Sequence, residues 1–291
     1  MSTRAALPGF VLLLAFVVSG CGKSEQATRS DARLAGEPAL CDTLYQAVED
    51  GTFIPSAGDS TRATSTGAWG AEHAGDCERV SLALLRGDGA PQHAAAPLHG
   101  SLLRSYGIVR VEIPGAINAV ADPDTAIASP LVLAAYVVHA RDGSFYEDLH
   151  LSQPAFARLV PLAKPARIGI DLSPGGGAIP TPAPRARNVV VLEPRTGAAT
   201  YPLVIRGYAR TFEANVIARL SQGGKVARQE HGTAADYITT WGEFELSIPT
   251  GPSGDVDLFV GEDSAKDGTP VGVTIPLTMA GGPSGSPGNG R

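Results

Sequence analysis

The chain has 291 residues, 43% of them hydrophobic and 18% charged, with a formal net charge of -6. That is enough apolar material for ordinary cores and a soft prior for two domains. The negative balance, without any basic stripe, argues against nucleic acid as a partner. Glycine (35) and proline (23) recur every several residues, which interrupts helices and favours many short strands.

Residues 1–21 read MSTRAALPGFVLLLAFVVSGC. Arg4 gives a positive start, an unbroken apolar run follows, and small residues lead to Cys21. This is the layout of an export signal. The uncharged stretch is shorter than the roughly 20 residues that span a bilayer. The ending, Val18-Ser19-Gly20-Cys21, resembles a bacterial lipobox. That resemblance implies cleavage between Gly20 and Cys21, lipid attachment at Cys21, and a membrane anchor at the new N-terminus. It also implies extracytoplasmic residence in a bacterial envelope. Gly22, in place of aspartate, favours outer-membrane sorting in a host that has an outer membrane. Residues 1–20 are thus expected as signal and residues 21–37, polar and without apolar period, as a flexible tether.

With Cys21 assigned to lipid, Cys41 and Cys77 remain. Export makes a disulfide the expected pairing, ahead of two separate buried thiols. It would contribute a few kcal/mol if unstrained.

The first body is expected over residues 38–173. Leu40, Leu44, Ala47 and Val48 fall at helical spacing, which predicts a helix over 40–50, stopped by Gly51. Residues 58–75 are polar and read as loop. Strands follow around Val80–Leu84, Val109–Ile113, Leu131–Ala140, Phe145–Leu151, Phe156–Leu162 and Arg167–Leu172. The 131–140 run, apolar on both faces, suits a central strand. Asp142-Gly143 makes it a hairpin with its successor. Residues 174–187 are rich in glycine and proline and predict a linker between two bodies.

The second body, residues 188–280, shows seven short alternating segments, the pattern of an immunoglobulin-like sandwich. Phe244, Leu246 and Ile248 against Glu243, Glu245 and Ser247 give the clearest period of two. Residues 281–291 read as a disordered tail. The fold expected is therefore all-β: two β-sandwich domains, the second immunoglobulin-like, joined by a Gly/Pro linker after a lipoprotein signal.

Several blocks carry a family resemblance. Glu193-Pro194, the 201–209 block YPLVIRGYA, Phe212-Glu213-Ala214-Asn215-Val216, Gly242-Glu243-Phe244 and the 262–268 block EDSAKDG stand in the second body. They resemble the immunoglobulin-like domain of bacterial spore germination, a GerM-associated envelope module. The resemblance implies an extracytoplasmic, non-catalytic domain. Its motif residues Phe212, Glu213, Asn215, Lys266, Asp267 and Gly268 are expected to be structural: Phe212 packed between sheets, Glu213 and Asn215 at a strand entrance, Asp267-Gly268 in a turn. In the first body, Cys77–Leu82, Val109–Ala116 and Pro165–Leu172 resemble the AMIN-like domains of bacterial lipoproteins. That implies a β-sandwich that localises its protein in the envelope, often through peptidoglycan.

Catalytic signals are few. No two of His73, His93, His99, His139, His150 and His231 stand at metal-ligand spacing on one expected element, so neither metal nor cofactor is expected. Gly58-Asp59-Ser60 lacks the apolar strand that a nucleophile turn needs. Asp122, Asp124, Asp142 and Asp148 read as turn residues rather than calcium ligands. Tyr201, Tyr208, Tyr237 and Trp241 would stack on sugars if exposed, but Trp241 is expected to cap a core. Two functions follow. The first is a non-catalytic, lipid-anchored envelope protein binding peptidoglycan or an envelope protein. The alternative is an envelope hydrolase with dispersed groups around His139, His150 or Asp171. A soluble-ligand binder would need a sandwich that opens into a cavity.

Overall fold

The computed structural model describes residues 38–42, 47–48, 52–54, 65–93, 97–113, 127 and 129–280. The signal, the lipid site Cys21, the tether, the Gly58-Asp59-Ser60 block, Asp122, Asp124 and the tail lie outside them. The described residues are all-β, with one 3-10 turn, Phe212–Ala214. All of them fall in one compact unit.

The first half contributes β1 (Thr52–Ile54), β2 (Ser65–Ala74), β3 (Cys77–Leu85), β4 (Leu98–Leu103), β5 (Ile108–Glu112), β6 (Val132–His139), β7 (Phe145–Leu151), β8 (Ala155–Leu162) and β9 (Arg167–Pro174). The second adds β10 (Val189–Glu193), β11 (Gly197–Ala199), β12 (Leu203–Ala209), β13 (Asn215–Gln222), β14 (Lys225–Thr233), β15 (Trp241–Ile248), β16 (Gly254–Asp263) and β17 (Pro270–Met279). They form sheets ordered β2-β3-β9-β8, β11-β17-β16-β13-β14 and β1-β4-β5-β7-β6-β15-β12-β10.

The third sheet differs from the sequence expectation of two bodies parted by a linker. It runs from one half into the other. Its joint is a short parallel pairing of Trp241 with Val138 and Gly242 with His139. The alternating pattern reveals each strand's faces but not which strand from a distant stretch lies alongside. The 174–187 stretch also begins inside β9, and its last residues edge the sheet. Arg185 bridges Val190, Val191 N–H donates to Pro184 O (2.9 Å), and Ala186 N–H donates to Val189 O (2.8 Å).

Period-two alternation fills a core on each side. In the first half, Val80, Leu82 and Leu84 of β3 and Ile168, Ile170 and Leu172 of β9 meet Val109, Val111, Leu149 and Val137 of the long sheet. In the second, Ile205, Phe244, Leu246 and Ile248 meet Val216, Leu220, Leu258, Val260 and Ile275. Gly207 is required where β12 passes β10, because a Cβ there would strike the Val190 carbonyl oxygen.

Two expectations fail locally. Residues 65–74 form β2, not loop. β2 hydrogen-bonds along β3 with a register shift between Thr66 and Trp69, so pairing overrides a composition of Gly and Ala that disfavours strand. In the 40–50 stretch, Ala47 bridges Arg158 and Val48 N–H donates to Ala157 O (2.8 Å). Those residues sit against the β8 edge rather than in a helix, while 43–46 lie outside the described residues.

The disulfide does form: Cys41 and Cys77 are joined with their Cα atoms 6.0 Å apart. Beside it lies a buried ion pair. Arg79 Nε and Nη2 donate to the two Asp171 carboxylate oxygens at 2.5 and 2.8 Å, and both side chains are at most 1% exposed. Arg79 also donates to Pro38 O (3.1 Å) and Ala39 O (3.2 Å), and Cys41 N–H donates to Asp171 Oδ2 (2.7 Å). The pair thus fastens the entering chain to β3 and β9. Removing one partner of such a pair leaves a buried charge uncompensated. Asp171→Asn is expected to cost about 3–5 kcal/mol in denaturant unfolding, and the double variant Arg79→Leu, Asp171→Leu to cost clearly less. A loss under about 1 kcal/mol for the single variant would contradict this role.

Candidate functional site at the seam between the halves

β7 reads FYEDLHL, and all seven residues are buried. Alternation sends Phe145, Leu149 and Leu151 into the first core. It sends Tyr146, Asp148 and His150 to the opposite face. There Arg110 of β5 and Tyr136 of β6 stand level with Asp148 on either side. The second half brings Val190, Leu192, Tyr208 and Trp241 to the same face, and Ala183 of the 174–187 stretch joins them. A third core results, made by both halves and behind both sandwiches.

Its packing is aromatic. The Tyr136 ring lies 5.0 to 5.1 Å from those of Trp241, His150 and Tyr208. The His150 ring nitrogen Nε2 is hydrogen-bonded to the Tyr208 hydroxyl. Arg110 donates to both Asp148 oxygens at 2.8 Å and lies 3.8 Å over the Tyr146 ring. Trp241 is buried, as the sequence led us to expect, but in this seam.

The electrostatics favour fixed charge states. Burial, with Arg185, Arg195 and Arg110 nearby, pushes the His150 pKa down to about 3, so the ring is neutral. Burial raises the Tyr208 hydroxyl well above its usual range. Burial raises Asp148 as well, while the Arg110 guanidinium opposes it. A neutral, enclosed imidazole bonded to a neutral phenol suits packing rather than proton exchange with solvent.

The dispersed catalytic groups are not brought together. His150 lies in the seam. Asp171 is committed to Arg79 in the other sheet. His139 ends β6 and stacks on Phe145 at 4.4 Å. Asp142 accepts from Ser144 in the β6–β7 turn, and Asp148 serves Arg110. Among the described residues no group of three or more His, Cys, Asp or Glu is placed to hold a metal ion.

The seam opens to solvent as two adjoining depressions of about 700 and 210 Å³, which share Arg110, Arg141 and Glu243. Glu243 accepts from Arg141 N–H (3.1 Å) and from the Tyr146 hydroxyl (3.3 Å). Arg206 donates to Glu193 (2.9 Å) and Glu245 (2.7 Å), and Tyr106 bonds Glu193. This groove alternates cations and carboxylates beside tyrosine. It can receive a ligand carrying both charges by exchanging these surface pairs, which hold weakly in water. Sequence reasoning missed it, since its residues come from five distant segments. β7 places acids at two successive positions, one on each face, which the sequence alone reads as exposure and the structure buries.

The motif residues divide. Asp267 Oδ1 accepts from Thr269 N–H (3.1 Å), and Gly268 takes φ +72° in the turn before β17. Lys266 N–H donates to the Ser264 hydroxyl at the start of that turn (3.3 Å). Asn215 opens β13. Phe212, however, is 60% exposed and does not pack between sheets. Glu213 and Ala214 behind it both take positive φ (55° and 59°), which turns the Phe212 ring outward.

Glu147 projects from β7 beside the first core. It is 1% exposed, and its Oε2 has no hydrogen-bond partner among the described residues. Burial, and then the Asp148 charge, raise its pKa well above the ordinary 4.5. A carboxyl raised by folding stabilises fully below its unfolded pKa, and that stability is lost as pH rises toward the folded value. Glu147→Gln is therefore expected to match the parent near pH 4 and to exceed it progressively as pH rises above the ordinary carboxylate range, by up to about 1.4 kcal/mol per pH unit until the folded carboxyl ionises. Denaturant curves at a series of pH values measure this, and a constant difference across pH would contradict it.

Among the described residues no helix is long and apolar enough to cross a membrane. No curated protein and no solved structure matches the chain. Residues 188–269 match the family model for the immunoglobulin-like domain of bacterial spore germination. That match runs from β10 to the turn before β17.

Proposed function

We propose that the protein is a non-catalytic, lipid-anchored component of a bacterial envelope that binds a cell-wall or envelope-protein partner. The observation that carries this reading is the seam. Two sandwiches, one matching an immunoglobulin-like germination domain, share a sheet and a third core. The result is a stiff surface for gripping rather than two arms that close over a substrate. The ampholytic groove over that seam suits the amines and carboxylates of a wall peptide or a protein loop. The lipobox-like ending at Cys21 would hold this surface at a membrane.

Cells expressing the full chain, fed radiolabelled palmitate, test the anchor. Label is expected on the parent and absent from Cys21→Ala, which should move from the membrane to the soluble fraction. The anchored parent, solubilised in mild detergent, is expected to sediment with purified peptidoglycan or be retained by immobilised envelope extract. A parent without label, or one retained by neither, would overturn the proposal.

A further inference from the structure

We propose that the groove over the seam binds a small zwitterion, an α-carboxylate with an ammonium group close to it, and that Arg110 holds the carboxylate and Glu243 the ammonium. This rests on reading the groove as a binding site and names the chemistry it selects.

Arg110 uses only one edge of its guanidinium. The group has five N–H donors in a planar fork, and more than one edge of it can match a carboxylate. The Nε–Nη2 edge is taken by the two Asp148 oxygens, each at 2.8 Å. Among the described residues this side chain makes no other hydrogen bond. Its Nη1 is not among the buried unpaired atoms, so it reaches solvent. Asp148 is 0% and Arg110 26% exposed. The used edge therefore faces the interior, and the Nη1–Nη2 end faces the groove. Arg110 lines both depressions and stands where they adjoin.

Glu243 is likewise half committed. Its Oε2 accepts from Arg141 N–H (3.1 Å) and its Oε1 from the Tyr146 hydroxyl (3.3 Å). A carboxylate has about four acceptor sites, so each oxygen keeps one. Tyr146 links the two groups: Arg110 lies 3.8 Å over its ring, and Glu243 sits at its hydroxyl. One tyrosine ring thus separates the cation from the carboxylate, a span that a single amino-acid residue bridges.

The fold holds this pair ready. Arg110 cannot swing away without stranding the buried Asp148 charge, and the ring beneath fixes its plane. Groups fixed in advance lose little freedom on binding. Arg141 and Arg206, in contrast, are 56 and 50% exposed and form rim pairs with Glu245. Net charge does not select the occupant, because Glu112, Asp142 and Glu245 on the rim face Arg141 and Arg206. The two fixed groups do. A lone anion on Arg110 meets Glu243, and a lone cation on Glu243 meets Arg110, whereas a zwitterion makes charge-assisted hydrogen bonds to both.

The test titrates the full chain, solubilised in mild detergent, with Nα-acetyllysine, which mimics the carboxyl end of a peptide, and with alanine, a free amino acid. Isothermal titration calorimetry is expected to give a Kd of about 1 mM or tighter for at least one of them. Tighter binding of Nα-acetyllysine marks a peptide end as the source, and tighter binding of alanine marks a free amino acid. Amidating the carboxylate of the tighter probe, or acetylating its ammonium, should each weaken binding about tenfold. Arg110→Lys keeps a charge against Asp148 but loses the fork, and should weaken the probe about tenfold with the thermal transition retained. Glu243→Gln should bind the probe and its acetylated form alike while still rejecting the amidated one. No binding of either probe at about 10 mM, binding indifferent to amidation or acetylation, or affinity unchanged in both variants would each overturn the proposal. Membrane fractionation and peptidoglycan sedimentation of the same chain report separately on the broader reading. An anchored, wall-binding chain that takes neither probe defeats this inference alone.

Discussion

The structure depends on a joint two residues long. Trp241 and Gly242 lie alongside Val138 and His139, and through them a sheet of the first half becomes a sheet of the second. Two ladder positions cannot hold two bodies together by hydrogen bonds, each worth only about 1 kcal/mol net. What holds them is the third core behind the joint, where Trp241, Tyr208 and His150 close around Tyr136. Buried aromatics of this size each remove 150–250 Å² from water, roughly 4–6 kcal/mol at 25 cal/mol/Å². The seam is thus apolar at its centre and charged at its mouth.

Buried charge gives the joint and its surroundings their register. Arg79 with Asp171 and Arg110 with Asp148 are both two-pronged pairs on neighbouring strands. Such pairs contribute little net stability but penalise any slip, because a one-residue shift would bury a charge alone. The first also fixes the entering chain next to the Cys41–Cys77 disulfide. Glu147 is the exception: it is buried, its Oε2 has no hydrogen-bond partner among the described residues, and burial raises its pKa well above the ordinary value.

The sequence revealed strands where one face meets a core. Phe244-Glu245-Leu246 alternates because β15 has a wet side, and the family blocks around Asp267-Gly268 mark a turn that needs a left-handed glycine. It was misleading where tertiary pairing outweighs composition. β2 looks like loop, because its glycines and alanines form strand only with β3 beside them. The 40–50 stretch has helical spacing, yet Ala47 and Val48 are drawn to the β8 edge. Phe212 reads as core by its chemistry, and only the backbone behind it turns it to solvent. The seam and its groove were illegible because parallel pairing between strands a hundred residues apart leaves no local period.

Joined through this seam, the two halves should unfold as one cooperative body. Differential scanning calorimetry of the disulfide-intact chain tests it most directly, by comparing calorimetric with van't Hoff enthalpy. A single transition with the two enthalpies equal is expected, and a split into two transitions when Trp241 is replaced by alanine. Two resolved transitions in the parent chain, unaltered by that replacement, would show two independent domains and contradict it.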